Sequence, residues 1–377
     1  MKEKKFHPAV LKRSLSVFFK DALRVAFTNP SQALVFLRTL IWLKRASKKR
    51  EVLKAQGIEV PPIIIWSITN QCNLQCEGCY NQSFFPDSKE EMEESEIRRI
   101  TQEARDLGVS FFVLAGGEPF MKPEILNIMK DFPEIIFMVF TNGLLVNDEM
   151  ISRFKKQRNV VPLLSLEGYA EETDKRRGTG TYETIVTAMK KMKRNHLFFG
   201  TSLTLTRSNF QVLTGEPFIK RLTSSGCKFF LFIEYTPTCA ETEHWVLTRE
   251  QREMVTGLMK SYRSKHPALF IAVPWDEDDV GGCLSAGRGF VHINARGDLE
   301  PCPFAPFSDV NVRDRSLKTA FQSEFFKRIR QLPELSRETG GGCVLWKEKE
   351  LVLSILQQAN DRSAEQERSK ENPHMSP

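Results

Sequence analysis

Between Pro61 and Pro237, six β-rich runs alternate with helix-forming stretches, and this alternation limits what the chain can fold into. The strand candidates are Ile63–Thr69, Phe111–Ala115, Ile135–Phe140, Val161–Leu166, Phe198–Leu205 and Phe229–Tyr235. Between them lie helix candidates at Glu93–Leu107, Pro123–Lys130, Asp148–Lys156, Thr181–Lys193 and Gly215–Ser225. Joining parallel strands takes a crossover at every step, and here each crossover is a helix. Six such units predict an α/β fold, a partial (β/α)6 TIM-like barrel that stays open. In such sheets the chemistry sits at the C-terminal ends of the strands.

Directly after the first strand runs Asn70-Gln71-Cys72-Asn73-Leu74-Gln75-Cys76-Glu77-Gly78-Cys79-Tyr80, a C-x3-C-x2-C spacing. Three thiolates this close in sequence converge on one face of an iron–sulfur cube. A cubane has four irons, so one iron is left open for a cofactor or substrate. A zinc site would favour paired C-x2-C units or a Cys/His mix. Disulfide pairing would leave one cysteine over, and nothing points to an oxidising compartment.

The later strands also end in chemically pointed turns. After the second strand stands Gly116-Gly117-Glu118-Pro119, where glycines permit close backbone approach and Glu118 offers a carboxylate. The third strand ends Thr141-Asn142-Gly143 and the fourth Ser165-Leu166-Glu167-Gly168. Ser165 and Glu167 share one side of their strand, because side chains repeat every second residue. Ordinary Asn/Gly turn chemistry is the plainer alternative. Arg177 precedes Gly178-Thr179-Gly180-Thr181-Tyr182, a glycine-rich turn opening a helix and suited to hold a carboxylate.

These motifs, in this order, resemble the radical S-adenosylmethionine (SAM) superfamily over about residues 61–350. The resemblance implies a [4Fe–4S] cluster on Cys72, Cys76 and Cys79 whose open iron chelates SAM. It implies reductive cleavage to a 5′-deoxyadenosyl radical that takes hydrogen from a substrate C–H bond. It implies that Gly116, Gly117 and Glu118 meet the SAM amino group, that Asn142, Ser165 and Glu167 approach its ribose and methionyl parts, and that Arg177 binds its carboxylate. A flavodoxin or ferredoxin would supply the electron. Most members carry an aromatic residue before the third cysteine; here Gly78 stands there, with Tyr80 just after.

Downstream, Cys283 and Cys302 flank a hairpin turning at Ala295-Arg296-Gly297, and Cys343 follows a Gly340-Gly341-Gly342 run. This resembles an abridged SPASM or Twitch domain and implies one auxiliary [4Fe–4S] cluster on Cys283, Cys302 and Cys343. Its fourth ligand would be Cys239, a non-cysteine residue or substrate. Ordinary burial of the three cysteines is the alternative. Cys227 reads as structural, and His244, His266 and His292 as structural or surface residues. Glu234 and Tyr235 end the sixth strand, within reach of substrate or simply in the core.

The net charge of +7 is unevenly placed. Residues 1–54 hold 14 Lys/Arg against 3 Asp/Glu, or +11, leaving −4 for the remainder. Residues 8–28 read as an amphipathic helix, and Asn29-Pro30-Ser31 starts a second one carrying Trp42 and a basic run at 44–50. The apolar part is too short to span a bilayer. A helix pair in the membrane interface is the favoured reading, over packing on the catalytic domain and over nucleic-acid binding. The chain thus divides into a basic helical extension (1–58), the barrel (59–240), a C-terminal cluster domain (241–358) and a disordered tail (359–377). No secretory signal is expected, which places the protein in the cytoplasm, peripheral on the membrane's inner face. The expected substrate is lipid-like and membrane-associated. The alternatives are a peptide or protein maturase and, in another class, a non-catalytic iron–sulfur protein.

Overall fold

A computed structural model describes residues 25, 30–85, 90–278, 282–336 and 343–371. Single-turn segments aside, the order opens with α1 (Pro30–Ala55), β1 (Ile63–Thr69), α2 (Tyr80–Phe84), α3 (Glu94–Leu107) and β2 (Phe111–Gly116). It continues through α4 (Ile125–Asp131), β3 (Ile136–Thr141), α5 (Asp148–Lys156), β4 (Val160–Leu166), α6 (Ala170–Arg177), α7 (Thr181–Arg194) and β5 (Gly200–Leu205). Next come α8 (Glu216–Ser224), β6 (Phe229–Glu234), α9 (Arg249–Lys265), β7 (Leu269–Val273), β8 (Phe290–Ile293) and β9 (Leu299–Glu300). The described chain ends with α10 (Glu324–Gln331) and α11 (Lys349–Glu371).

All six expected strands form. The sheet has nine strands in the order β7-β6-β5-β4-β3-β2-β1-β8-β9. Strands β1 to β7 are parallel and advance one place at a time, as a singly wound barrel wall does. Strand β8 lies parallel on the other side of β1, and β9 pairs antiparallel with β8 as the expected hairpin. The C-terminal cysteine region is therefore stitched into the edge of the barrel sheet at β1.

Alternation along each strand divides the sheet's two faces. One face carries Trp66, Phe112, Phe137, Phe230 and Phe270, fully buried under the helices. Phe112 and Phe137 stack with centroids 5.5 Å apart, and Phe230 and Phe270 at 4.7 Å. Local signals fix the helix ends. Glu93 and Glu96 form a capping box before α3, and Gly108 closes that helix at φ +92°. Thr248 and Gln251 repeat the box before α9. The other face looks into the barrel. There Ile136, Met138, Phe140, Phe198, Leu231 and Ile271 are only half-buried.

The N-terminal extension meets this inner face. Val25 is buried with Val161, Leu163, Phe229 and Leu269, and Phe36 packs on the same cluster. Lys49 reaches the Arg105 carbonyl at 3.3 Å, and Arg50 bonds the Gly108 carbonyl and the Ser110 hydroxyl. Those partners precede β2, so α1 covers the end of the barrel opposite the cysteine loop. Part of the extension thus packs on the catalytic domain, the reading the sequence ranked second. Its outward side remains open, with Leu37, Ile41 and Val52 about half exposed beside Arg38, Lys44, Arg45 and Lys48. The helix expected over 8–28 falls outside the described residues apart from Val25.

Two local expectations change. Helix α6 forms where no helix was read; it is charged throughout, so apolar periodicity could not mark it. It is set instead by the Glu172 carboxylate on the Tyr169 amide, and by Thr173 on the Gly168 carbonyl. Helix α11 runs to Glu371, through residues expected to be disordered. Its Ala, Glu, Gln, Lys and Arg residues are strong helix formers.

Candidate functional site

Strand β1 ends at Thr69, and the cysteine loop starts there under tight constraint. Glu91 accepts from the Thr69 hydroxyl at 2.8 Å and from the Asn70 amide at 2.8 Å, and pairs with Lys122 at 2.9 Å. The Gly116-Gly117 turn lies directly against the loop. The Gly117 amide donates to the Thr69 carbonyl at 2.7 Å, and the Glu118 amide to the Gln71 carbonyl at 2.8 Å. A Cβ on Gly117 would stand 1.9 Å from the Gln71 oxygen. So the glycines serve close passage of the cysteine loop. Gly117→Ala should displace the loop and cut iron incorporation at least severalfold; iron per chain after anaerobic reconstitution checks this.

The loop rims a hollow of about 960 Å³, lined by Cys72, Cys76, Cys79, Arg176 and Arg177 among others. Burial is the largest influence on Cys72 and Cys76 and raises both thiols above the ordinary range. Neighbouring cysteines raise them further, whereas Arg177 and Arg176 pull Cys76 back down. The Asn142 amide reaches toward the Cys72 sulfur at 4.0 Å and donates to Asn73 at 2.7 Å. Among the described residues, no three His, Cys, Asp or Glu side chains gather round a point fit for a single ion. Three thiols rimming a wider space, beside two arginines that favour thiolate, fit a multi-iron cluster.

The other predicted residues divide into two groups. Arg177 faces the hollow, and Glu167 holds it from behind. The Glu167 carboxylate accepts from Arg177 Nε at 2.9 Å and Nη2 at 2.6 Å, and pairs with Arg176 Nη1 at 2.7 Å. Glu118 is also buried. It accepts from the Thr141 hydroxyl and the Asn142 amide, both at 2.8 Å, and from the Phe120 amide at 3.2 Å. Desolvation nonetheless holds its carboxyl above the usual range. Glu118, Asn142, Ser165 and Glu167 are not among the residues lining the hollow. Ser165 is buried in the sheet, in register with Ser202 on β5.

Arg176 was not singled out from sequence, though it adjoins Arg177. It donates to the Glu77 carbonyl at 3.2 Å and accepts at its own carbonyl from the Glu77 amide at 3.0 Å. Its guanidinium lies 5.6 Å from both the Tyr235 and Trp245 ring centroids. These two rings press on Gly78, where a Cβ would stand 2.6 Å from the Tyr235 oxygen and 2.8 Å from Trp245. The glycine, at φ +63°, makes room for aromatics arriving from elsewhere in the chain. Glu234, in contrast, pairs with Arg252 on α9.

Of the C-terminal cysteines, Cys302 and Cys343 meet. Cys302 is buried, and its thiol donates to the Cys343 sulfur, which raises the first and lowers the second; Cys283 adds its own influence on Cys302. Backbone amides of Leu345 and Trp346 support a thiolate at Cys343. Cys239 lies by the first cysteine loop instead, exposed beside Thr242 and close to Tyr235, and its neighbour Thr238 donates to the Ser83 hydroxyl on α2 at 2.9 Å. Cys227 is fully buried and pushed up to about 12, as a structural thiol would be. His266 pairs with Glu216 at 3.0 Å, and His292 is entirely buried.

Residues 66–209 match the family model described as the radical SAM superfamily. The AdoMet-dependent heme synthase of Methanosarcina barkeri is 23% identical over 308 residues, covering 74% of this chain and 88% of that protein. The mycofactocin maturase MftC of Mycobacterium tuberculosis is 25% identical over 272 residues, covering 66% of each. Streptococcus suis SuiB, solved with its precursor peptide SuiA, superposes with a TM-score of 0.61 at 17% identity. The match covers 81% of this chain and 72% of that one, and it shows a shared fold. With the cysteine loop, the barrel and these relatives together, residues 66–209 are a radical SAM domain, and the protein is a radical SAM enzyme.

Proposed function

We propose that this enzyme abstracts hydrogen from a substrate with a large apolar part, drawn from a membrane surface. The inner face of the barrel carries the reading: Ile136, Met138, Phe140, Phe198, Leu231 and Ile271 line it only half-buried, beside Val25 and Phe36 of the extension. Apolar surface left open inside a fold is a binding feature. The outward side of α1 adds exposed Leu37, Ile41 and Val52 among cations, suited to an anionic headgroup layer. No helix among the described residues is long and apolar enough to cross a membrane.

When bound on Cys72, Cys76 and Cys79, a [4Fe–4S] cluster supplies the electron that cleaves SAM and so starts hydrogen abstraction. Arg177, held rigid by Glu167, offers bidentate pairing to the SAM carboxylate. Asn142 steadies Cys72, and the buried Glu118 locks the ends of β2 and β3 that frame the site. Cys283, Cys302 and Cys343 hold a second cluster, and a flavodoxin or ferredoxin on the cytoplasmic side delivers electrons.

A peptide or protein maturase is the second reading, favoured by the likeness to the mycofactocin maturase. The deciding experiment measures 5′-deoxyadenosine release from reconstituted, reduced enzyme with SAM, alone and with membrane lipid extract. Stimulation of at least severalfold by lipid, with deuterium transferred from labelled lipid, is the expected result. Stimulation only by a peptide fraction overturns the lipid reading and supports the maturase.

A further inference from the structure

Two cysteine-bearing segments that lie far apart in sequence are joined by contacts between half-buried rings and by a buried polar chain. Tyr80 follows Cys79 directly, and its ring meets Phe304, two residues beyond Cys302, edge-on at 5.4 Å. One turn further along α2, Phe84 meets Trp346, three residues beyond Cys343, at 5.3 Å. Helix α2 is thus a shared wall between the two cysteine sites.

A buried polar chain runs beside these ring contacts, from β1 to the hairpin. Ser67 Oγ is 2.8 Å from His292 Nε2, and His292 Nδ1 is 2.7 Å from a Glu300 oxygen. The Asn294 amide donates to the other Glu300 oxygen at 2.7 Å. Ser67, His292 and Glu300 are 0–2% exposed. Glu300 is two residues before Cys302. The imidazole therefore bridges the barrel strand β1 and the hairpin strand β9, and its two ring nitrogens reach both partners at once.

Packing alone would place β8 beside β1 through Ile63, Ile64 and Ile65. The buried polar chain does something packing does not: it fixes one register and one orientation, because a slipped arrangement would leave polar groups without partners. We propose that Tyr80 and His292 are positioning residues that hold the C-terminal cysteine centre at one distance and orientation from the Cys72–Cys79 loop. This rests on the reading that Cys283, Cys302 and Cys343 hold a cluster. Electron exchange between two such centres depends on that distance, so these contacts set how the second centre serves the radical chemistry of the first.

The test uses full-length enzyme reconstituted with iron and sulfide. Tyr80→Leu removes the ring that meets Phe304; His292→Gln keeps bulk and one hydrogen bond but cannot bridge. Iron per chain and thermal unfolding confirm that each variant is loaded and folded. The informative readout is the distribution of distances between the two reduced clusters by pulsed electron paramagnetic resonance. Wild type should give one narrow distribution, and each variant, with iron unchanged, one at least twice as wide. Wild-type width in both loaded variants overturns the proposal. About four irons per wild-type chain instead of about eight, unchanged by Cys302→Ala, overturns the second cluster itself and the proposal with it. That outcome is told apart from the first by the iron count alone.

Discussion

Cys76→Ala is expected to lower 5′-deoxyadenosine release to the detection limit and to remove about four irons per chain. The loop offers three thiols; Cys239, near Tyr235, is not among the residues lining the hollow, and Cys227 is fully buried. Cys76 is also the thiol most supported by Arg177 and Arg176. Its removal takes away a ligand and leaves two guanidiniums facing the hollow with less negative charge. The same change at Cys283 should leave SAM cleavage measurable, because that residue lies on the other side of α2. Iron analysis and product chromatography on the two variants decide it. Retained cleavage in Cys76→Ala would refute the assignment of the loop.

Glu167→Ala should be the most damaging substitution outside the cysteines. The carboxylate is 1% exposed and pairs with both Arg176 and Arg177, each 14% exposed. Removing one partner from a buried ionic cluster typically costs about 3–5 kcal/mol, because the remaining charge loses its compensation. Here two charges are left, and Arg176 also carries the backbone of the cysteine loop through Glu77. Loss of stability and of SAM affinity should therefore appear together. Glu167→Gln keeps an acceptor for one guanidinium and should cost less. Denaturant unfolding of the unloaded protein, with SAM binding by calorimetry on the loaded one, separates the two effects. A stability change under about 1 kcal/mol in Glu167→Ala would rule out the clamp.

The Glu167 cluster shows where sequence reading stopped. Strand periodicity put Ser165 and Glu167 on one side of β4, and the glycine-rich turn marked Arg177. That Glu167 sits behind the arginines followed only once α6 folded back across the strand ends. Glu118 is similar. Its position after β2 was legible, but its three hydrogen bonds come from Thr141, Asn142 and Phe120 around it. Arg176 was passed over because its role depends on Tyr235 and Trp245, about 60–70 residues downstream.

The sequence by itself determined the order of strands and helices, the parallel sheet and the cysteine loop at the end of β1. These are properties of short segments: periods of 2 and 3.6, capping residues, and ligands within eight positions of one another. It also marked the hairpin that carries Cys302. Only the tertiary structure decided that β8 pairs with β1, that α1 covers the far end of the barrel, and that His292 links Ser67 to Glu300. Each of these joins residues distant along the chain. Their pairing is set by which buried faces and polar groups satisfy one another, and local pattern carries no record of that.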